Sequence, residues 1–263
     1  MQNRQTRQNS VTIQTVDGIG DIQPGDDLAQ ILISAMDKTE LCIEDGDILV
    51  IAQKVVSKAE DRFVALKDVI PSAEAVALAT KVNKDPRKIE VILGESKSVV
   101  RAVTHAGQSE GIVITEHNLG FVCANAAVDE SNIDQKDTLL LLPIDPDASA
   151  RALRDRLETA YGVRVGVVIT DTFGRPWRMG LVNVAIGLAG VPAKVDLAGE
   201  KDAFGRPLAV TAPALADELA AASGLLMAKD AKKPALIFKG VSWQAEVSSA
   251  LDLVRPLKED LFR

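Results

Sequence analysis

Short continuous apolar runs rich in β-branched residues, each bounded by turn residues, constrain this chain more than any other feature. DGDILVIAQKVVSK at 45–58, VRVGVVIT at 163–170 and PALIFKG at 234–240 each carry one. Such runs suit strands covered on both faces, and between them lie segments of helical spacing. The spacing predicts a buried strand over 48–56, a Ser72-capped helix over 71–82 and a short strand in KIEVILGES at 88–96. A strand pair is expected around Asn118 to Gly120, then a strand in DTLLLLPIDP at 137–146 and a surface helix over 148–161. The run at 163–170 reads as a buried strand delivering Asp171 at its end, and 179–188 fits a helix or a strand. An Ala-rich helix over 211–227 and a strand at 234–240 complete a mixed α/β (α+β) chain. It reads as a single domain over 1–263, with 1–10 a flexible N-terminal stretch.

Composition narrows the partners. Thirty basic against 37 acidic side chains leave a formal charge of −7, which argues against a nucleic acid, whose phosphates call for a basic surface. No stretch approaches the roughly 18 apolar residues of a membrane span, so a cytoplasmic protein with no membrane partner is expected. Cys42 and Cys123 lie far apart and read as reduced, buried thiols; His105 and His117 read as structural histidines. No phosphate-binding G-x-x-x-x-G-K-[ST] loop, dinucleotide G-x-G-x-x-G or Ser-His-Asp order stands in the chain.

The chemistry concentrates in VITDTFGRPWRMG at 168–180, where an apolar run stops at Asp171 and passes into Thr172, Gly174, Arg175 and Arg178. A carboxylate and a hydroxyl are hard oxygen ligands of the kind Mg²⁺ or Mn²⁺ accepts while keeping positions open for phosphate. Two planar guanidinium groups beside them are bidentate donors for phosphate or carboxylate. Asp129, in ANAAVDESN, is a second acid of this kind, flanked by Asn125 and Asn132. SKAEDR at 57–62 offers a hydroxyl, an ammonium and a guanidinium at the end of an apolar run. DTFGRP at 171–176 recurs as DAFGRP at 202–207, read as a shared turn solution.

GDDL at 25–28, QKVVSKAEDR at 53–62, GFVCANAAVDESN at 120–132, TDTFGRPWRMG at 170–180 and DAFGRPL at 202–208 occur in this order. Together they resemble the coenzyme F420-0:L-glutamate ligase family, GTP-dependent gamma-glutamyl ligases of deazaflavin coenzyme biosynthesis, over about residues 11 to 242. The resemblance implies a two-lobed fold in an intertwined homodimer. It implies that GTP phosphorylates the lactyl carboxylate of coenzyme F420-0 and that the L-glutamate amine displaces phosphate. Mn²⁺ or Mg²⁺ would assist, with K⁺ a further candidate ion.

By the same resemblance Asp129 and Asp171 match ligands of one metal, and Thr172 a ligand of a second. Ser57, Lys58, Arg62 and Asn132 match nucleotide contacts, as does the loop of Ile19, Gly20, Asp21 and Ile22. A late nucleotide segment falls on Met227, Ala228 and Lys229. There Ala228 stands for a glycine and Lys229 for a metal-contacting Gln; an ammonium cannot ligate a metal, so Lys229 is expected to meet phosphate. Ala127 likewise stands where the family often has glycine. Arg175 and Arg178 are the candidate catalytic arginines. Two other classes fit the residues: a metal-dependent nucleotide phosphohydrolase or kinase, and a non-catalytic deazaflavin- or nucleotide-binding module.

Overall fold

A computed structural model of the chain describes residues 10–104, 107–131, 136–227 and 232–260. In chain order its main elements are β1 (Thr12–Thr15), α1 (Leu28–Lys38), β2 (Ile48–Ala52), α2 (Gln53–Ala59), β3 (Phe63–Ala65), α3 (Ala73–Val82), α4 (Pro86–Gly94) and β4 (Ser96–Val103). Then follow β5 (Ile112–His117), β6 (Val122–Ala124), β7 (Thr138–Leu140), α5 (Pro146–Tyr161), β8 (Gly166–Arg175), β9 (Arg178–Ala189), α6 (Leu215–Ser223) and β10 (Ala235–Lys239). The result is an α+β fold.

The principal sheet has the order β1-β10-β2-β8-β9, with β2 and β8 parallel and the other neighbours antiparallel. Consecutive residues Ile48 to Ile51 and Val167 to Ile169 are all fully buried. Both faces of these strands are therefore covered, as their unbroken apolar runs require. The first residues of α5 lie against β9 with little room to spare. A Cβ on Gly187 would come 2.6 Å from the Pro146 carbonyl oxygen, so only glycine admits this approach.

The crossover from β2 to β8 carries a second, smaller layer. There β4, β5 and β6 form an antiparallel sheet over α3 and α4, around a separate cluster that includes Ala79, Val82, Ile89, Ile92 and Val113. A two-stranded pair, β3 with β7, lies between these parts in the chain.

Several expectations hold: the helix after Ser72, whose hydroxyl accepts from Ala75 N–H; the β5–β6 pair; the helix over α5; the strand at β10. Others are corrected. The strand expected over 48–56 ends at Ala52, because Gln53, Val56 and Ser57 are buried at helical spacing in α2. Lys88 to Gly94 of KIEVILGES is helical, not extended, and Ser96 opens β4. Asp85 caps α4 by accepting from Arg87 N–H, Pro86 starts it, and Ile89 and Ile92 bury one face. The undecided segment 179–188 is strand β9. Helix 211–227 shrinks to α6, with Pro213 ahead of it. The strand in 137–146 is the three-residue β7.

The two FGRP copies differ. The first is extended in β8, whereas in the second Asp202 accepts from the N–H groups of Phe204 and Arg206 in a tight turn. Cys123 is buried as expected, but Cys42 is exposed.

Candidate active site

The site forms where the principal sheet loses a partner. β2 pairs with β8 as far as Ala52 opposite Thr170, and there the chain turns into α2. From Asp171 onward β8 runs with β9 alone, as a two-stranded ribbon closed by Pro176 and Trp177. Asp171 is thus the first residue beyond the parallel pair, not the strand's last residue. The carboxyl ends of parallel strands are where α/β sheets open a crevice to ligands.

Gln53 and Lys54, at the start of α2, border the same opening. The Lys54 ammonium pairs with Asp129 at 2.6 Å and donates to the Ser131 hydroxyl at 2.8 Å. Ser131 N–H in turn donates to Asp129 at 2.7 Å. Asp129 reaches this position from a left-handed turn in which Asn125, Ala126 and Ala127 have φ of 52°, 50° and 54°. Antiparallel backbone bonds to Leu140 then hold it. The Asn125 side chain is taken up by the fold, accepting from Val113 N–H at 3.2 Å.

The two carboxylates differ in proton affinity. Burial raises the Asp129 carboxyl, but the Lys54 ammonium and the Ser131 N–H outweigh it and leave the group below its ordinary value. Asp171 is pushed up to about 6, chiefly by burial; the Thr172 N–H opposes this, the negative charge of Asp129 adds to it, and Lys54 and Gln53 pull the other way by less. The same burial, with the charge of Asp171 nearby, pushes the Cys123 thiol up to about 12, which rules it out as a thiolate nucleophile near neutral pH.

Asp171 ionises reluctantly beside a second carboxylate, so a bound cation would relieve it, and the donors here fit a hard divalent ion. Among the described residues no group of three or more His, Cys, Asp or Glu is placed to hold a metal. A cation at Asp129 and Asp171 would therefore complete its shell with phosphate oxygens and water, as Mg²⁺ does.

Strand alternation separates the neighbouring candidates. Asp171, Phe173 and Arg175 are half-buried, while Thr172 and Gly174 are exposed. Thr172 therefore projects from the face opposite Asp171, and one ion cannot take both side chains as a simple pair. Among the described residues no strand pairs with this edge of β8 beyond Thr170.

Arg175 is half-buried; its Nη2 reaches the Met179 carbonyl at 3.4 Å, and its Nε is buried without a hydrogen-bond partner. Arg178 is exposed at the ribbon tip. Among the described residues neither forms an ion pair.

Ser57 is buried and donates to the Gln53 side chain at 2.7 Å. Lys58 is half-buried one residue on, and Gly25 N–H donates to the Ala59 carbonyl at 2.9 Å. That bond brings the segment following Ile19, Gly20, Asp21 and Ile22 to the end of α2. Ile22 is buried, whereas Gly20 and Asp21 are exposed.

Arg62 is turned elsewhere. Its Nε donates to the Leu142 carbonyl at 2.8 Å and its Nη2 lies 3.3 Å from Glu95, which also faces His117 Nε2 at 3.5 Å. His117 Nδ1 accepts from Leu119 N–H, as expected of a structural histidine. Met227 is half-buried just beyond α6. Asn132, Ala228, Lys229 and His105 lie outside the described residues.

Sequence reasoning missed Gln53, Lys54 and Asn183. The first two were read as strand interior, and the helical burial of Gln53, Val56 and Ser57 was the signal available. Asn183 carried no signal, because it meets Thr172 only through cross-strand register.

The family model described as F420-0:Gamma-glutamyl ligase matches residues 18–240. The protein named coenzyme F420:L-glutamate ligase of Methanopyrus kandleri is 45% identical over 92% of this chain and 93% of its own. Its namesake of Methanothermobacter thermautotrophicus is 43% identical over 94% and 97%. That of Archaeoglobus fulgidus is 39% identical over 96% of each. With a family match across most of its length and relatives this similar, the chain belongs to the F420-0:gamma-glutamyl ligase family and is an enzyme of the ligase class.

Proposed function

We propose that the chain joins L-glutamate to coenzyme F420-0 at the expense of GTP, by way of an acyl phosphate. The family description supplies the acceptor and the relatives' names the amino acid; the paired carboxylates Asp129 and Asp171, at the mouth of a parallel strand pair, are the observation that carries the phosphoryl-transfer reading. In the first step a carboxylate oxygen of F420-0 bonds to the γ-phosphorus and the bridging bond to GDP breaks. In the second the glutamate amine attacks the acyl carbon, phosphate leaves, and the amine loses a proton.

Both steps bring anions together, so cationic and hydrogen-bonding groups must offset their repulsion. Arg175 and Arg178 would grip a phosphate or the acceptor carboxylate as bidentate donors. Ser57, Lys58 and the loop from Ile19 to Ile22 would hold the nucleotide, together with Asn132 and the segment of Met227, Ala228 and Lys229. Lys54 keeps Asp129 ionised. Mn²⁺ or Mg²⁺, held by Asp129 and Asp171 with Thr172 at a second position, would neutralise phosphate charge. K⁺ is a further candidate ion. No helix among the described residues is long and apolar enough to cross a membrane; the setting we propose is the cytoplasm. The working unit is a homodimer.

Mass spectrometry of purified protein with coenzyme F420-0, GTP, L-glutamate and Mn²⁺ tests this. A product heavier by glutamyl units, with GDP and phosphate released only when glutamate and acceptor are present, is expected. GTP breakdown indifferent to glutamate would instead mark a phosphohydrolase, and nucleotide binding without turnover a binding module.

A further inference from the structure

The polar groups behind Thr172 form a chain whose direction is fixed at its far end. Ser223, in the last turn of α6, is fully buried and its hydroxyl lies 2.6 Å from the Ala220 carbonyl. A carbonyl only accepts, so Ser223 donates there, and its lone pairs face the Asn183 side chain 3.1 Å away. Asn183 must therefore turn its amide nitrogen to Ser223 and its oxygen to Thr172. At 2.8 Å from that oxygen, the Thr172 hydroxyl donates its only proton. Among the described residues no donor takes up the Thr172 lone pairs, and Thr172 is exposed on a ribbon that pairs with no third strand beyond Thr170.

We infer that Asn183, oriented by Ser223, is a positioning residue that locks the Thr172 hydroxyl as an electron-pair donor toward a bound divalent cation. The inference rests on the reading of Thr172 as a metal ligand. A free threonine hydroxyl can turn its proton toward a ligand; one committed to Asn183 cannot, and it offers a cation only oxygen lone pairs. Outer groups of this kind typically change metal affinity about tenfold to a hundredfold when removed.

Mn²⁺ titration of the full chain with saturating GDP, followed by the electron paramagnetic resonance signal of free Mn²⁺, provides the test, with thermal unfolding alongside. Thr172→Val sets the scale and is expected to weaken or abolish one Mn²⁺ site. Asn183→Leu releases the hydroxyl and should weaken that same site about tenfold. Ser223→Ala lets the amide rotate and present its nitrogen to Thr172, so it should act in the same direction. Asn183→Asp still accepts from Thr172 at the same volume and should retain the site, whereas Ser223→Ala leaves the Asn183 packing in place and removes only its orientation, so a packing role would leave that variant unchanged.

If Thr172→Val loses the site while Asn183→Leu and Ser223→Ala keep it, the positioning role is overturned. Loss of the site in Asn183→Asp overturns it as well. Should Thr172→Val bind Mn²⁺ as the parent does, the ligand reading of Thr172 falls and this inference with it, while the glutamyl-transfer assay stands apart. If Asn183→Leu does not fold, Ser223→Ala and Asn183→Asp decide between the same outcomes.

Discussion

Asp129 and Asp171 face one opening, yet one holds its charge through Lys54 and the other is driven toward neutrality by burial and by its neighbour. An amide at 171 would relieve that unfavourable ionised form but could not supply charge to a cation. Asp171→Asn is therefore expected to abolish glutamate-dependent GTP turnover while the unfolding temperature stays level or rises, as happens where stability yields to function. Activity and a melting curve on the same preparation check this, and near-normal ligation would remove Asp171 from the metal site. Asp129 comes to the site through three successive left-handed residues. Neither Ala126 nor Ala127 suits that conformation, which costs a non-glycine residue about 1 kcal/mol or more. Ala127→Gly should accordingly stabilise the protein by about 1 kcal/mol in denaturant unfolding. A loss of stability would mean that the Ala127 methyl contributes more by packing than it costs in strain. The two acids were readable in the sequence because each ends an apolar run in a polar cluster. Lys54 was not, since its value lies in reaching Asp129, 75 positions further on, which no local pattern joins.

At the scale of elements, the strands of the principal sheet were legible, because burial on both faces leaves an unbroken apolar signature. Two boundaries were not, and both bear on the site. β2 gives way to α2 where Gln53 and Lys54 break the apolar run, and β8 continues past its acid because β9 pairs with it as far as Arg175. In each case tertiary partners decide what a short run becomes. α4 shows the converse, a β-rich composition made helical by Asp85, Pro86 and the spacing of Ile89 and Ile92. Glu95, at the end of that helix, ties the smaller layer to Arg62. Hydrogen bonding toward His117 foremost, with the Arg62 charge, outweighs burial and holds its carboxyl below the ordinary 4.5. A lowered carboxyl contributes stability in full above that ordinary value and loses it as pH falls below it. Glu95→Gln should thus lower stability near neutral pH by about 1 to 2 kcal/mol and flatten the fall in unfolding temperature on acidification below about 4.5. Parallel pH profiles of the two proteins would show Glu95 to be unimportant.

On the scale of the whole molecule, the ribbon of β8 and β9 projects beyond the sheet with apolar side chains in the open. Met179 is 97% exposed and Leu181 61%, and Phe204 and Val210 are exposed on the segment that follows β9. A two-stranded ribbon is marginal in water by itself, and exposed apolar side chains along one are what another molecule would cover. The occupant we propose is a second copy of the chain, as the resemblance implies an intertwined dimer and the extension begins where β2 leaves β8. Light scattering coupled to size exclusion is expected to give twice the chain mass. Replacing Met179 and Leu181 together by lysine should yield a folded monomer, since charge on the ribbon leaves the core of the principal sheet untouched. The same ribbon carries Asp171, Arg175 and Arg178, so monomerisation should depress glutamyl transfer more than it depresses Mn²⁺ binding at Asp129. A double variant that stays dimeric would place the interface elsewhere; one that is monomeric and fully active would show that each chain completes its own site.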